Sequence, residues 1–177
     1  MTAGFDDQDR PQAVLITGVY GSGKSTVVED LATLLEEAGA AYAAIDLDWL
    51  SWYDAGVDGD DGWDMLLANL AAVVGNYRSA GVTRLVMAGF FESAAEVERL
   101  RSVLAMPLGT VRLDVPLAVV ERRLTAVGTA ERLANLEVAR RQVAEDLGTG
   151  FADLTVEGDR PVRDVAGEVL AWLGWTG

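Results

Sequence analysis

The segment GVYGSGKST, residues 18–26, contains the residue types that bind a phosphate group. Its glycines allow the backbone to turn so that several N–H groups point at one anion. The spacing Gly-x-x-x-x-Gly-Lys-Ser suits Lys24 to the outer phosphates of a nucleotide and the Ser25 hydroxyl to Mg²⁺. The residues predicted to bind the nucleotide are Gly18, Tyr20, Gly21, Ser22, Gly23, Lys24, Ser25 and Thr26.

Lys24 is the only lysine of the chain, and every other basic residue is an arginine. A lysine at the one position where the phosphate pattern needs it favours a functional role. Ras-like GTPases recognise guanine through an Asn-Lys-x-Asp motif, which requires a second lysine. The LSGGQ signature of transport ATPases is also absent. These two classes are therefore excluded.

Two aspartates, Asp46 and Asp48, follow the apolar segment AYAAI. If the chain is still extended there, both side chains point to the same side. Open α/β sheets bind ligands at the carboxyl ends of their strands. Two neighbouring carboxylates repel each other unless a cation or a proton lies between them. We expect Asp46 to act on the Mg²⁺ shell and Asp48 to orient or deprotonate an acceptor hydroxyl, the alternative being a solvated turn or a helix cap.

Alternating apolar and helical patterns predict the elements that position these residues. Strands are predicted at 13–17, 41–47, 83–91, 110–115 and 153–157, and helices at about 24–38, 64–80, 93–105, 116–126, 130–147 and 161–173. This alternation predicts an α/β fold, a parallel sheet with helices on both faces. Residues 1–12 are predicted to form a flexible tail, and residues 13–177 a single domain.

The composition restricts the chemistry further. The 177 residues include no cysteine and no histidine, so thiolate metal sites are excluded and a general base must be Asp, Glu or Tyr. The net charge of −14 argues against nucleic acid as a partner. No segment has the pattern of a secretion signal or a membrane span, which predicts a cytoplasmic protein that does not bind membranes.

With its phosphate loop and its Asp46-Leu47-Asp48 segment, the chain resembles the small P-loop kinases that phosphorylate metabolites or antibiotics. These include shikimate, gluconate and adenylylsulfate kinases and chloramphenicol phosphotransferase. The resemblance implies a three-layer P-loop NTPase fold with a five-stranded parallel sheet in the order 2-3-1-4-5. It also implies the cofactors ATP and Mg²⁺, and transfer of the γ-phosphoryl group to a hydroxyl of a small molecule. A nucleotide-binding regulatory ATPase without phosphotransfer is the alternative.

The resemblance further implies a mobile helical lid at about 122–141, whose arginines close over the transferring phosphate. The planar guanidinium suits this role because it binds two phosphate oxygens at once. Arg122 and Arg132 are the predicted catalytic arginines, acting with Lys24 and Asp48. The alternative is that the arginines of this region solvate helices or pair with nearby glutamates; they are Arg122, Arg123, Arg132, Arg140 and Arg141.

The segment between Lys24 and Arg78 contains no basic residue and is rich in aspartate and tryptophan. In the resembling kinases this neighbourhood builds the acceptor pocket. Aromatic faces beside carboxylates suit a sugar, a ring or an amine-bearing molecule, and a strongly anionic acceptor would be poorly served. The alternative is that the tryptophans pack a small subdomain and the aspartates form a solvated loop. The predicted acceptor-binding residues are Asp48, Trp49, Trp52, Phe91 and Glu92.

Overall fold

The computed structural model describes residues 12–53, 62–126 and 130–175, and within the last range it leaves out the side chains of 130–133. The predicted tail therefore lies outside the described residues apart from Gln12, and of the aspartate-rich segment 54–64, predicted as a loop, only residues 62–64 are described. The strands are β1 (Ala13–Thr17), β2 (Tyr42–Asp46), β3 (Arg84–Ala88), β4 (Leu108–Asp114) and β5 (Leu154–Glu157). The helices are α1 (Lys24–Glu37), α2 (Trp63–Ser79), α3 (Ala94–Leu104), α4 (Leu117–Thr125), α5 (Ala130–Ala144) and α6 (Val162–Leu173), and a short 3-10 helix (Leu47–Leu50) follows β2.

The five strands form one parallel sheet in the order β2-β3-β1-β4-β5. The fold and the strand order expected from the sequence are confirmed. β1 is central and all five of its residues are buried, which explains its uninterrupted apolar sequence. Because every strand runs in the same direction, the loops after β1 and β2 leave the same edge of the sheet.

Two hydrophobic cores cover the two faces of the sheet. Successive side chains of β1 alternate between them: Val14 and Ile16 pack with α1 and α6, whereas Ala13 and Leu15 pack with α2 and α3. The helices therefore hold β1 from both sides, and the loop that follows β1 begins from a fixed point.

β2 and β3 end earlier than predicted. The chain turns into the 3-10 helix directly after Asp46, and β3 ends at Ala88 instead of continuing to Phe91. A side chain at Gly89 would come within 2.9 Å of the Leu47 side chain, so the 3-10 helix packs closely over the end of β3. Within the described ranges, no helix has the length and apolarity needed to cross a membrane.

Candidate nucleotide-binding and catalytic site

The loop between β1 and α1 needs glycine for both its backbone angles and its packing. Gly18 has a φ of 142°, and a Cβ atom there would lie 2.9 Å from the carbonyl oxygen of Leu113. Gly21 has a φ of 77°, and a Cβ atom there would lie 3.0 Å from the Leu124 side chain. Positive φ values are strained for other residues. The loop is thus a tight glycine cradle that leads into the first turn of α1.

Lys24 is the first residue of α1, and its side chain folds back over the loop. Its Nζ donates hydrogen bonds to the carbonyl oxygens of Gly18, at 3.1 Å, and Val19, at 3.3 Å. Burial lowers the pKa of the Lys24 ammonium, and the charges of Asp48 and Asp46 raise it in part. The ammonium therefore lies against the loop backbone at the N-terminus of α1, and this positive charge and the helix N-terminus both attract an anion.

Ser25 and Asp46 connect α1 to the end of β2. The Ser25 hydroxyl donates a 2.7 Å hydrogen bond to the Asp46 carboxylate, whose other oxygen accepts the backbone N–H of Asp48 at 3.2 Å. The condition for strand alternation to bring Asp46 and Asp48 to one side is not met, because the strand ends at Asp46. Asp46 instead caps the 3-10 helix, and this turn brings the two carboxylates close together.

Asp48 is exposed to the cleft, yet its carboxylate is not in the environment of a free aspartate. The pKa of Asp48 is raised, mainly because surrounding protein displaces water from the carboxylate, and also because Asp46 is near. The Lys24 ammonium opposes part of this shift. A raised pKa makes the carboxylate a better proton acceptor.

These groups share one cleft of about 750 Å³. One half contains the phosphate loop together with Arg123, Gly158 and Arg160. The other half contains Asp48, Trp49 and Trp52, so the structure brings these three predicted acceptor-binding residues to the loop. The lining residues are Tyr20, Gly21, Ser22, Gly23, Lys24, Ser25, Thr26, Val27, Asp46, Asp48, Trp49, Trp52, Arg123, Leu124, Asn135, Gly158, Arg160, Val162 and Val165.

Two predicted acceptor-binding residues lie elsewhere. Phe91 is 1% exposed and packs edge-on against Trp63, with ring centroids 5.3 Å apart, so it belongs to the core. Glu92 is exposed beside the start of α3, and its backbone N–H donates to the Glu96 carboxylate at 2.7 Å. Neither is among the described residues that line the cleft. Both follow the end of β3, where the chain turns away from the cleft.

Arg123, and not Arg122, is the arginine of α4 that lines the cleft. Its guanidinium donates to the carbonyl oxygens of Ser22, at 2.9 Å, and Gly158, at 3.1 Å. The helical period provides a signal for this choice, because Arg123 follows the buried Val120 by three residues whereas Arg122 is exposed. Gly158 was not predicted, although it follows β5 at the same sheet edge.

The other arginines of the predicted lid have different surroundings. Arg140 pairs with Glu121 of α4 at 2.9 Å and with Glu137 at 2.6 Å, so it joins α4 to α5 as the alternative interpretation expected. Arg141 is exposed and does not line the cleft in the described part of the chain. Arg132 falls in the first turn of α5, and its side chain lies outside the described residues.

Two polar residues of α5 hold Tyr20 of the phosphate loop. The Gln142 side chain, 5% exposed, accepts the Tyr20 backbone N–H at 2.8 Å, and Asn135 donates to the Tyr20 hydroxyl at 2.8 Å. Neither residue was predicted. A signal was present, because Asn135 and Gln142 are seven residues apart on the same face of α5 as the buried Leu136 and Ala139. This contact fixes α5 to the loop.

We expect Gln142→Leu to weaken ATP binding, because Tyr20 loses the acceptor that holds its backbone. The free energy of unfolding should also fall by about 1 kcal/mol, the usual net value of one hydrogen bond. Calorimetric titration with ATP and urea unfolding measure the two effects. Val143→Ala, at the exposed next position of α5, is the control and should change neither. Unaltered ATP affinity in Gln142→Leu would contradict the expectation.

Replacing Asp48 should stabilise the nucleotide-free protein at neutral pH. Since the native pKa of Asp48 is raised, the charged form is disfavoured in the folded state, and Asp48→Asn removes that cost. As the pH falls through the raised pKa, wild-type Asp48 takes up a proton in the folded state and the difference between the two proteins shrinks. It disappears below the ordinary pKa of an aspartate, where the unfolded chain is protonated too.

Urea unfolding at a series of pH values measures this difference. Glu36→Gln is the control. It removes one exposed carboxylate from α1, so it measures how far the loss of one negative charge by itself alters the free energy of unfolding. Equal stability of Asp48→Asn and the wild type at neutral pH would show that the environment of Asp48 does not disfavour its charge.

Solved structures share this fold over nearly the whole chain. A sugar kinase from Janibacter sp. HTCC2649 has a TM-score of 0.67 and 21% identity, with 94% of this chain and 96% of that chain covered. A gluconokinase from Sinorhizobium meliloti 1021 has a TM-score of 0.63 and 22% identity, covering 94% and 93%. The APS kinase of Mycobacterium tuberculosis has a TM-score of 0.61 and 24% identity, covering 93% and 98%. The predicted resemblance to small-molecule P-loop kinases is confirmed.

A search of curated proteins gives no match. A family model, that of the methylmalonyl-CoA mutase-associated GTPase MeaB, matches residues 1–90, which is about half of the chain. The matched part contains the phosphate loop and the Asp46-Leu47-Asp48 segment. The chain therefore belongs to the MeaB family of P-loop proteins, and over 93–94% of its length it shares the fold of the solved small-molecule kinases.

Proposed function

We propose that the protein is an ATP- and Mg²⁺-dependent kinase that transfers the γ-phosphoryl group to a hydroxyl of a small molecule. The observation that carries this proposal is the position of Asp48. Its carboxylate lines the same cleft as the phosphate loop, and its pKa is raised. A proton acceptor beside the phosphate loop suits the removal of a proton from an attacking hydroxyl.

The donor half of the cleft fits the phosphates of ATP. The glycine cradle leaves no space for side chains at Gly18 and Gly21, so the backbone itself is free to surround an anion. Lys24 supplies a positive charge at the start of α1, and Arg123 is held beside the loop by its bonds to Ser22 and Gly158. These cations would stabilise the charge on the transferring phosphoryl group. Arg132 remains a further proposed contributor.

The donor atoms of Ser25 and Asp46 fit Mg²⁺. Both are hard oxygen ligands, and their 2.7 Å separation shows that the side chains already converge. The described residues contain no cluster of three or more Asp, Glu, His or Cys that could enclose a metal. This suits Mg²⁺, which usually takes its remaining ligands from water and from phosphate. When bound, the ion would neutralise charge on the phosphate oxygens.

Asp48 would orient the acceptor hydroxyl and take its proton. The hydroxyl oxygen then forms a bond to the γ-phosphorus, the bond from that phosphorus to the bridging oxygen breaks, and ADP leaves with the electron pair. The products are a phosphate ester, ADP and a proton held first by Asp48. A base is most effective when its pKa approaches the working pH, which is the direction of the shift at Asp48.

A nucleotide-dependent switch without phosphotransfer is the second candidate. The match to the family model of a GTPase over residues 1–90 favours it. The sequence argues against guanine specificity. Its single lysine lies in the phosphate loop, and no Asn-Lys-x-Asp motif exists. The two candidates differ in whether an acceptor stimulates ADP release and in which nucleotide binds.

A panel of hydroxylated metabolites and antibiotics, assayed for ADP release, should contain acceptors that stimulate turnover. With such an acceptor, Asp48→Asn should keep the ATP affinity of the wild type and lose about 10²- to 10⁴-fold in transfer rate, the usual contribution of a general base. Glu36→Gln, on the exposed side of α1, should transfer at the wild-type rate. Transfer by Asp48→Asn as fast as by the wild type would rule out Asp48 as the base.

Calorimetric titration of the wild type should give binding of ATP in the presence of Mg²⁺ and weaker binding of GTP. Lys24→Ala should abolish most of the ATP signal, because it removes the ammonium that pairs with the phosphates. Preferential binding of GTP would favour the switch. Absence of binding by either nucleotide to the wild type would refute both candidates.

A further inference from the structure

Two tryptophans at the acceptor side of the cleft are far more exposed than a core residue would be. Trp49 is 67% exposed and Trp52 is 75% exposed, and their ring centroids are 4.8 Å apart at an interplanar angle of 36°. Both line the cleft. Exposed aromatic surface of this extent beside a cavity is typical of a ligand site. The alternative that these two residues pack a small subdomain does not fit their exposure.

The segment that carries the tryptophans is fixed to the fold at both ends of the 3-10 helix. Leu47 is 1% exposed in the core, and Asn69 of α2 donates a 2.8 Å hydrogen bond to the carbonyl oxygen of Leu50. Asp46 caps the same turn through its bond to the Asp48 N–H. The aromatic pair and the Asp48 carboxylate are therefore presented together at fixed positions.

The charges of the cleft are distributed unevenly. Its described cations are Lys24, Arg123 and Arg160, and each is bound on the phosphate side: Lys24 and Arg123 to loop carbonyl oxygens, and Arg160 to the Glu157 carbonyl and the Glu168 carboxylate. The acceptor side contains the carboxylate of Asp48, whereas Asp46 is hydrogen-bonded to Ser25 of the phosphate side. The sequence adds no lysine or arginine anywhere between residues 25 and 77.

Arg99, which lies beside a third tryptophan of this region, Trp63, is already paired with a carboxylate. Arg99 of α3 pairs with Asp64 at 2.6 Å, and its guanidinium lies 5.8 Å from the centroid of the Trp63 ring. An acceptor with a carboxylate or phosphate group would thus find no available guanidinium among the described residues of this side. It would also be repelled by the Asp48 carboxylate.

We propose that the acceptor is a hydroxylated ring compound that carries an amine. Its apolar ring face would stack on Trp49 and Trp52, and its ammonium group would be attracted by their π faces and by the carboxylate of Asp48. Its hydroxyl would face Asp48 and receive the phosphoryl group of ATP. This inference rests on the proposed function for the reaction, but the binding preference can be measured without it.

Three pyranoses with the same ring test the preference: glucosamine, glucose and glucuronate, which are cationic, neutral and anionic. Each is titrated calorimetrically into wild-type protein containing Mg²⁺ and AMP-PNP, an ATP analogue that does not transfer its phosphoryl group. Glucosamine should bind about two- to fivefold more tightly than glucose, as expected for one exposed cation–π contact. Glucuronate should bind most weakly, and added salt should reduce the difference between glucosamine and glucuronate.

Single substitutions connect the preference to the aromatic pair. Trp49→Ala and Trp52→Ala should each weaken glucosamine binding. Tyr77→Ala is the control and should leave it unchanged, because it removes an exposed aromatic ring from the far end of α2. The proposal is overturned if glucose or glucuronate binds as tightly as glucosamine, if glucosamine does not bind, or if both tryptophan variants bind it like the wild type.

The same titrations separate this proposal from the proposed function. Heat from AMP-PNP alone reports the nucleotide site, whatever the sugars do. If glucosamine binds with the expected preference but no amine-bearing acceptor stimulates ADP release from ATP, the acceptor-side inference stands and the kinase assignment fails. If ADP release requires an anionic acceptor, the kinase assignment stands and the inference fails.

Discussion

The hydrogen bond between the Ser25 hydroxyl and the Asp46 carboxylate, 2.7 Å long, joins the two parts on which the rest of the site depends. Ser25 lies in the first turn of α1, directly after the loop that follows β1. Asp46 ends β2, although β3 separates β1 from β2 in the sheet. Because the strands are parallel, the carboxyl ends of β1 and β2 lie at the same edge of the sheet. The 3-10 helix after β2 packs closely over Gly89, at the end of the intervening strand β3. The phosphate loop and the carboxylates thus meet because of topology and not because of sequence proximity.

This meeting creates an electrostatic conflict. Lys24 loses hydration and its pKa falls, whereas Asp48 loses hydration and its pKa rises, so burial disfavours the charged form of both groups. Their mutual attraction opposes both shifts, but Asp46 adds a second negative charge on the same side. An anionic nucleotide beside Lys24 and a cation beside Asp46 would each relieve one part of the conflict. The charges of the site thus fit the ligands proposed for it: an anion beside Lys24 and a cation beside Asp46.

The sequence predicted the features that depend on local pattern: the sheet, its helices, the glycine loop and the aspartates after β2. The predictions from the sequence were wrong where contacts between distant residues determine the end of a strand or the burial of a side chain. The second strand was expected to continue to residue 47, but the 3-10 helix begins at Leu47. Phe91 was placed at the site because the apolar run LVMAGFF continues past the end of β3, and tertiary packing buries it in the core. The contacts of Tyr20 with α5 join residues more than a hundred positions apart, which no local pattern specifies.

The fold shared with sugar, gluconate and APS kinases does not determine the acceptor, because the fold and the acceptor site depend on different residues. The nucleotide side is built from β1, the glycine loop and α1, whose geometry the packing of the sheet enforces. The proposed acceptor side is built from the 3-10 helix and Trp52. The fold requires of this segment only that Leu47 stays buried and that Asp46 keeps its hydrogen bond to the Asp48 N–H. Exposed residues such as Trp49 and Trp52 can therefore change without disturbing the nucleotide side. Folding alone favours burial of aromatic side chains, and contact with the proposed acceptor would account for their exposure there.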